Sequence, residues 1–238
     1  MSLVLGTATI ASAALYEEPF ATGGSSQTLA YFGWTPTGDF SVYGYSGVFY
    51  YSALQDAATL QPINGLSAVY MGSGAAVNEG FFTTDANTGL SGFTDIAFTG
   101  SLTFGIYNQI ASGSGDANNE TAHFMVQDGG NWYASATPIT GPTDTGALMD
   151  HQTMTLSPAA ANWVTVSGIG TSSISFGATP GSDLGGTITG TGIVFSLNNA
   201  NYATFNYADF TISAVPEPGT IALASLGGLL LVLRLKRS

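Results

Sequence analysis

Ser101-Leu-Thr-Phe-Gly-Ile-Tyr107 places Leu102, Phe104 and Ile106 on one side of an extended chain. Successive side chains of a strand point to opposite faces, so this period of two sets an apolar face on a core and a polar one toward water. The same alternation returns in Thr121–Gln127 through Ala122, Phe124 and Val126, and in Thr191–Leu197 through Ile193, Phe195 and Leu197. Shorter examples are Asn162–Val166 and Ser172–Phe176. Further strands are expected at Phe40–Tyr45, Val48–Ser52, Ser67–Met71, Gly80–Thr84, Phe93–Phe98, Asn131–Ala136 and Gln152–Leu156. No amphipathic helix is expected before residue 219. About a dozen strands with turns every 8–15 residues or so predict an all-β fold, two packed antiparallel sheets forming a β-sandwich.

The last strand, Ala203–Ser213, changes phase. Phe205 and Tyr207 share one face, Phe210 and Ile212 the other, and a bulge near Ala208-Asp209 reconciles them. Ala111–Glu120 is a long polar loop.

Composition agrees. Apolar residues make up 45% of the 238, enough for a core, while charged residues reach only 8% and Gly numbers 32. Long surface helices carry Lys, Glu and Arg on their wet face, so this balance favours short strands and tight turns. All three basic residues, Arg234, Lys236 and Arg237, fall in the last five positions, and the net charge is −12. Nucleic-acid binding requires cations that displace phosphate counterions, and the body has no Lys or Arg to supply them. There is no Cys, which removes disulfides, thiolate nucleophiles and thiolate metal sites.

Residues 1–13 form a small apolar run ending in Ala11-Ser12-Ala13, which reads as an h-region with an A-x-A cleavage site before Ala14. A basic n-region is missing, so the run is expected to be the end of a longer signal peptide. The other reading is a first β-strand. At the far end come Val215-Pro216-Glu217-Pro218-Gly219, an apolar run, and Arg234-Leu-Lys-Arg-Ser238. Proline lacks an N–H and stops the preceding strand. Ile221–Leu233 spans 13 residues. As a helix that is about 20 Å, short of the roughly 20 residues of a stable membrane span. Snorkelling by Arg234 extends it, and the terminal cations stay on the cytoplasmic side. A short C-terminal hydrophobic transmembrane helix is therefore expected within 215–238, after a β-sandwich domain over 14–214.

This order of Val-Pro-Glu-Pro, short glycine-bearing apolar run and terminal basic cluster resembles the PEP-CTERM sorting signal. The resemblance implies recognition by an exosortase, a membrane-embedded Cys peptidase or transpeptidase of Gram-negative bacteria that make exopolysaccharide. Pro216, Glu217 and Pro218 would be the sorting motif, Ile221–Leu233 a transient inner-membrane anchor, and Arg234, Lys236 and Arg237 the basic stop. Leu235 interrupts the usual basic run. More loosely, Leu15–Phe20 and the closing strand resemble the first and last strands of concanavalin A-like or jelly-roll sandwiches. That implies that the two ends of the domain pair in one sheet and that the tail leaves from a sheet edge.

Catalytic chemistry finds little purchase. His123 and His151 stand apart, outside any H-E-x-x-H frame, and His123 reads as an exposed residue opposite Phe124. There is no G-x-S-x-G elbow and no E-x-D-x-x-E run, and the adjacent Glu17 and Glu18 point to opposite faces. The chain is read as a non-enzyme. Calcium is the one cofactor the residues point to: Asp116, Asn118 and Glu120 offer alternate oxygens in the polar loop, which otherwise reads as solvated. Asp209 with Glu17 or Glu18 is a second candidate. Tyr43, Tyr45 and Tyr50 form the densest aromatic patch, a candidate glycan platform if they are not packed inside. The expectation is an exported, exosortase-sorted surface or extracellular-matrix protein. The alternative is a lectin-like module associated with exopolysaccharide.

Overall fold

The computed structural model describes residues 14–20, 27–38, 48–56, 62–70, 77–87, 92–112, 121–139, 148–171, 174–197 and 203–215. The described residues form an all-β sandwich. One sheet contains β1 (Ala14–Glu18), β2 (Gln27–Thr28), β4 (Val48–Asp56), β5 (Pro62–Tyr70), β8 (Leu102–Ser112), β11 (Leu148–Leu156) and β15 (Ala203–Ala214). The other contains β3 (Thr35–Thr37), β6 (Val77–Thr84), β7 (Ile96–Phe98), β9 (Thr121–Asp128), β10 (Asn131–Ser135), β12 (Trp163–Ser167), β13 (Ser175–Phe176) and β14 (Gly186–Leu197). Expected strands at 40–45 and the C-terminal helix lie outside the described residues.

The alternating residues meet as expected. Leu102, Phe104 and Ile106 of the first sheet and Ala122, Phe124, Val126, Ile193 and Phe195 of the second belong to one buried cluster. Its centre is aromatic. Phe20 lies 5.3 Å from Trp34 and 5.6 Å from Tyr207, and Phe81 stacks on Tyr207 at 4.4 Å. Such pairs add about 0.5–1.5 kcal/mol each beyond their burial. Phe20 enters this cluster by leaving β1 in a left-handed conformation, φ 49°, while its N–H donates to Glu18 Oε1 at 2.8 Å. The Trp34 indole N–H donates to Tyr16 Oη at 3.2 Å, and burial raises the Tyr16 pKa above its usual 10.0, aided by nearby Glu18.

The phase change in β15 resolves as expected. Ala208 pairs with Tyr107 and Thr211 with Gly105, so β15 carries one extra residue there. Asp209 absorbs it at φ 54°, a left-handed conformation Asp tolerates better than most residues. The bulge turns Tyr207, Phe210 and Ile212 all into the core.

Three features depart from the sequence reading. The first sheet is not purely antiparallel: β4 and β11 pair in parallel through Leu148–Gln55 and Met149–Asp56. Hydrophobic alternation carries no strand direction, so this was not visible in it. Second, pairing runs from β15 through β5, β4, β11 and β8 back to β15, closing that sheet on itself. Third, β1 does pair with β15, with Ala14 opposite Ser213, but β8 flanks β15 on its other side. The chain therefore leaves from the end of an interior strand, not from a sheet edge.

Candidate functional site

The β9–β10 hairpin turns through Gly129 and Gly130 at φ 57° and 78°, the pair of positive angles a two-residue hairpin turn needs. Beside this turn, residues 180–185 are tied down at three points. Gly185 N–H donates to Asp128 Oδ2 at 2.9 Å, Ala160 N–H donates to Asp183 Oδ1 at 2.9 Å, and Leu184 N–H donates to Pro158 O at 2.8 Å. Buried Leu184 plugs the loop into the main cluster. Between hairpin and loop lies a cavity of about 490 Å³, lined among others by Asp128, Asn131, Trp132, Tyr133, Ser182 and Asp183. Small-ligand sites run from roughly 300 to 1,000 Å³.

The Trp132 ring is fixed in place. Trp132 meets Phe82 edge-on at 5.2 Å, and its ring lies over Gly190, where an added Cβ would stand 3.0 Å from the indole. Tyr133 leans on the main cluster from the other side of β10. Both rings remain partly exposed. The cavity lining thus combines Trp132 with the carboxyl-bearing Asp128 and Asp183 and the amide of Asn131.

A second polar group sits on the outer face of the first sheet. Tyr107 and His151 stack at 4.5 Å, and Asp209 stands at the neighbouring bulge. Burial raises the Asp209 pKa above 3.8, and the charge of nearby His151 works against that rise. Asp209 is therefore coupled to His151 and not to the glutamates expected beside it: Glu18 is buried with its carboxylate at Phe20 N, and Glu17 is exposed opposite Thr211. Among the described residues, no three His, Asp, Glu or Cys side chains converge as a metal site.

His123 differs from its expected exposure. It is half-buried, with Nδ1 2.7 Å from Ser135 O and its ring 4.9 Å from Phe176, and burial lowers its pKa. The cause is a second apolar cluster on the outer face of the second sheet, where Met125, Ala134, Val166, Ile174 and Val194 are buried. Central strands that are covered on both faces lose the alternation from which exposure was read.

Of the other sequence candidates, Tyr43, Tyr45, Asp116, Asn118, Glu120, Pro216, Glu217, Pro218, Arg234, Lys236 and Arg237 lie outside the described residues. Tyr50 lies on β4, opposite Ser67. The cavity beside Trp132 is not marked by any sequence motif beyond the Gly-Gly turn followed by Asn-Trp-Tyr. The described chain ends at Val215, whose N–H donates to Ser101 O at 3.3 Å.

Residues 214–237 match the PEP-CTERM protein-sorting motif. A PEP-CTERM tail implies export, membrane anchoring before processing, and sorting by an exosortase. The match covers the tail alone. Among the described residues no helix is long and apolar enough to cross a membrane. No curated protein matches the chain. In structure it is similar to the CBM22-1 xylan-binding domain of a Paenibacillus barcinonensis protein, at 13% identity and TM-score 0.44, over 88% of this chain and 99% of that one. It is similar to the globular domain of T. cruzi calreticulin at 13% identity and TM-score 0.41, over 91% and 94% of the two chains. It is also similar to a family 11 carbohydrate-binding module of a Clostridium thermocellum cellulosomal cellulase, at 12% identity and TM-score 0.39, over 83% and 99%.

Proposed function

We propose that this chain is a surface or extracellular-matrix protein of a Gram-negative bacterium, with a non-catalytic sandwich body. Residues 1–13 belong to its export signal, and the apolar segment 221–233 holds it in the inner membrane. An exosortase then processes it near Pro216-Glu217-Pro218 and passes the body to the cell surface or an exopolysaccharide matrix. The observation that carries this reading is the sorting-motif match over residues 214–237. The test is mass spectrometry of the carboxyl terminus from an exosortase-bearing host. The mature species is expected to end close to Pro216–Pro218, and Glu217→Ala is expected to leave the intact chain in the membrane fraction. An intact chain in the cytosol would overturn the reading.

A second reading, compatible with the first, is that the body binds a glycan. It is favoured by the cavity whose lining brings Trp132 together with the hydroxyl-accepting carboxylates of Asp128 and Asp183. Sugars present C–H faces to aromatic rings and hydroxyls to polar groups, and this wall supplies both. A glycan array probed with and without EDTA tests it, and separates direct from calcium-dependent binding.

A further inference from the structure

The ligand class of that cavity can be narrowed, on the reading that the body binds a glycan. Asp128 of the hairpin and Asp183 of the loop both line the cavity, each tying the loop down with one carboxylate oxygen. No Lys or Arg occurs between Met1 and Leu233, so no such cation offsets them anywhere in the body. A uronate or sulfate entering the cavity would meet like charge within a Debye length of about 8 Å. Like charge brought together at an interface rejects a partner as effectively as good contacts attract one. An uncharged sugar meets no such penalty, and its hydroxyls donate to the same carboxylates.

We propose that the cavity between the β9–β10 turn and residues 180–185 holds a neutral glycan, and that Asp128 and Asp183 exclude acidic ones. Trp132 supplies the stacking surface, while Asn131 and Ser182 of the lining add hydrogen-bonding groups. The geometry is set before a ligand arrives, because the loop is hydrogen-bonded to the hairpin and to Pro158 and Ala160. Preorganisation of this kind removes the ordering cost from binding.

The test is affinity electrophoresis of the full-length chain in mild detergent, through gels containing neutral xylan, β-glucan or galactan, or polygalacturonate. At least one neutral polymer is expected to retard the protein, with EDTA present or absent, and polygalacturonate is expected not to. Trp132→Ala is expected to weaken the retardation about tenfold, the equivalent of about 1.4 kcal/mol. Because Trp132 also packs on Phe82, Gly181→Leu is the companion variant. Gly181 lines the cavity, and an added Cβ there meets nothing within 4 Å, so a larger side chain adds bulk at the site without disturbing the fold. It is expected to abolish retardation. If both variants bind as the parent does, the site lies elsewhere, while the glycan reading survives. Retardation by polygalacturonate that persists with Gln at Arg234, Lys236 and Arg237 would overturn the neutral-ligand claim. If no polymer retards the protein, both the claim and the glycan reading fall.

Discussion

Asp209 concentrates two costs in one residue: a left-handed backbone and a half-buried carboxylate whose pKa is raised by burial. A raised carboxylate pKa means that the folded state holds the proton more tightly than the unfolded one. Its contribution to stability is full below the ordinary value of 3.8 and is lost as pH rises through the higher folded value. Asp209→Asn keeps a side chain that accepts the left-handed angle and removes the charge. The variant is expected to melt above the parent at neutral pH, with the gap closing as pH falls through the raised folded value and gone below about 3.8. Thermal unfolding at several pH values measures this, and a gap that widens toward acid would refute it. His123 behaves in the opposite sense. Its lowered pKa disfavours the proton in the fold, so its contribution is complete above 6.5 and declines as pH falls below that value. Neither shift was legible in the sequence. Each is caused by burial, which depends on what the folded chain packs around the group.

At the scale of elements, the ladder between β6 and β14 shows why glycines recur in strands that look like ordinary core. An added Cβ at Gly192 would stand 2.5 Å from Phe81 O and 3.0 Å from Met125 Cε. Gly192→Ala must therefore push β6 and β9 aside, an overpacking that typically costs about 1–3 kcal/mol. Urea denaturation is expected to show that loss for Gly192→Ala, and a change within about 0.5 kcal/mol for Gly181→Ala, which faces open space. The strands themselves were readable wherever one face is apolar, as in β8, β9 and the inner residues of β14. The bulge in β15 was readable too, because Tyr207 and Phe210 fall out of phase. The short β2 and β3 were not, since two or three residues carry no period. The parallel contact of β4 with β11 was invisible for a different reason: alternation says which face is buried, never which neighbour is chosen or in which direction it runs.

For the whole molecule, one core links first and last strands, and the tail stands outside what is described. Removing residues 216–238 is expected to leave the unfolding free energy of the body within about 0.5 kcal/mol of the parent, because the matched sorting motif is confined to the tail. Removing β15 as well would strip the partner of β1, β5 and β8 and leave no folded species by circular dichroism. The candidate site divides along the same line. The sorting tail was legible because its chemistry is written in consecutive residues: two prolines around a glutamate, an apolar run and a basic end. The cavity was not, because Asp128, Trp132 and Asp183 come together only when a hairpin and a distant loop fold beside each other.

The position of β15 between β1 and β8 also has a mechanical consequence. A pull on Val215 along the strand, such as a lipid-held tail would exert, loads the bonds on both flanks in shear, all at once. A strand at the margin could instead peel away one bond at a time. The attachment point is thus held on two flanks against traction along the strand.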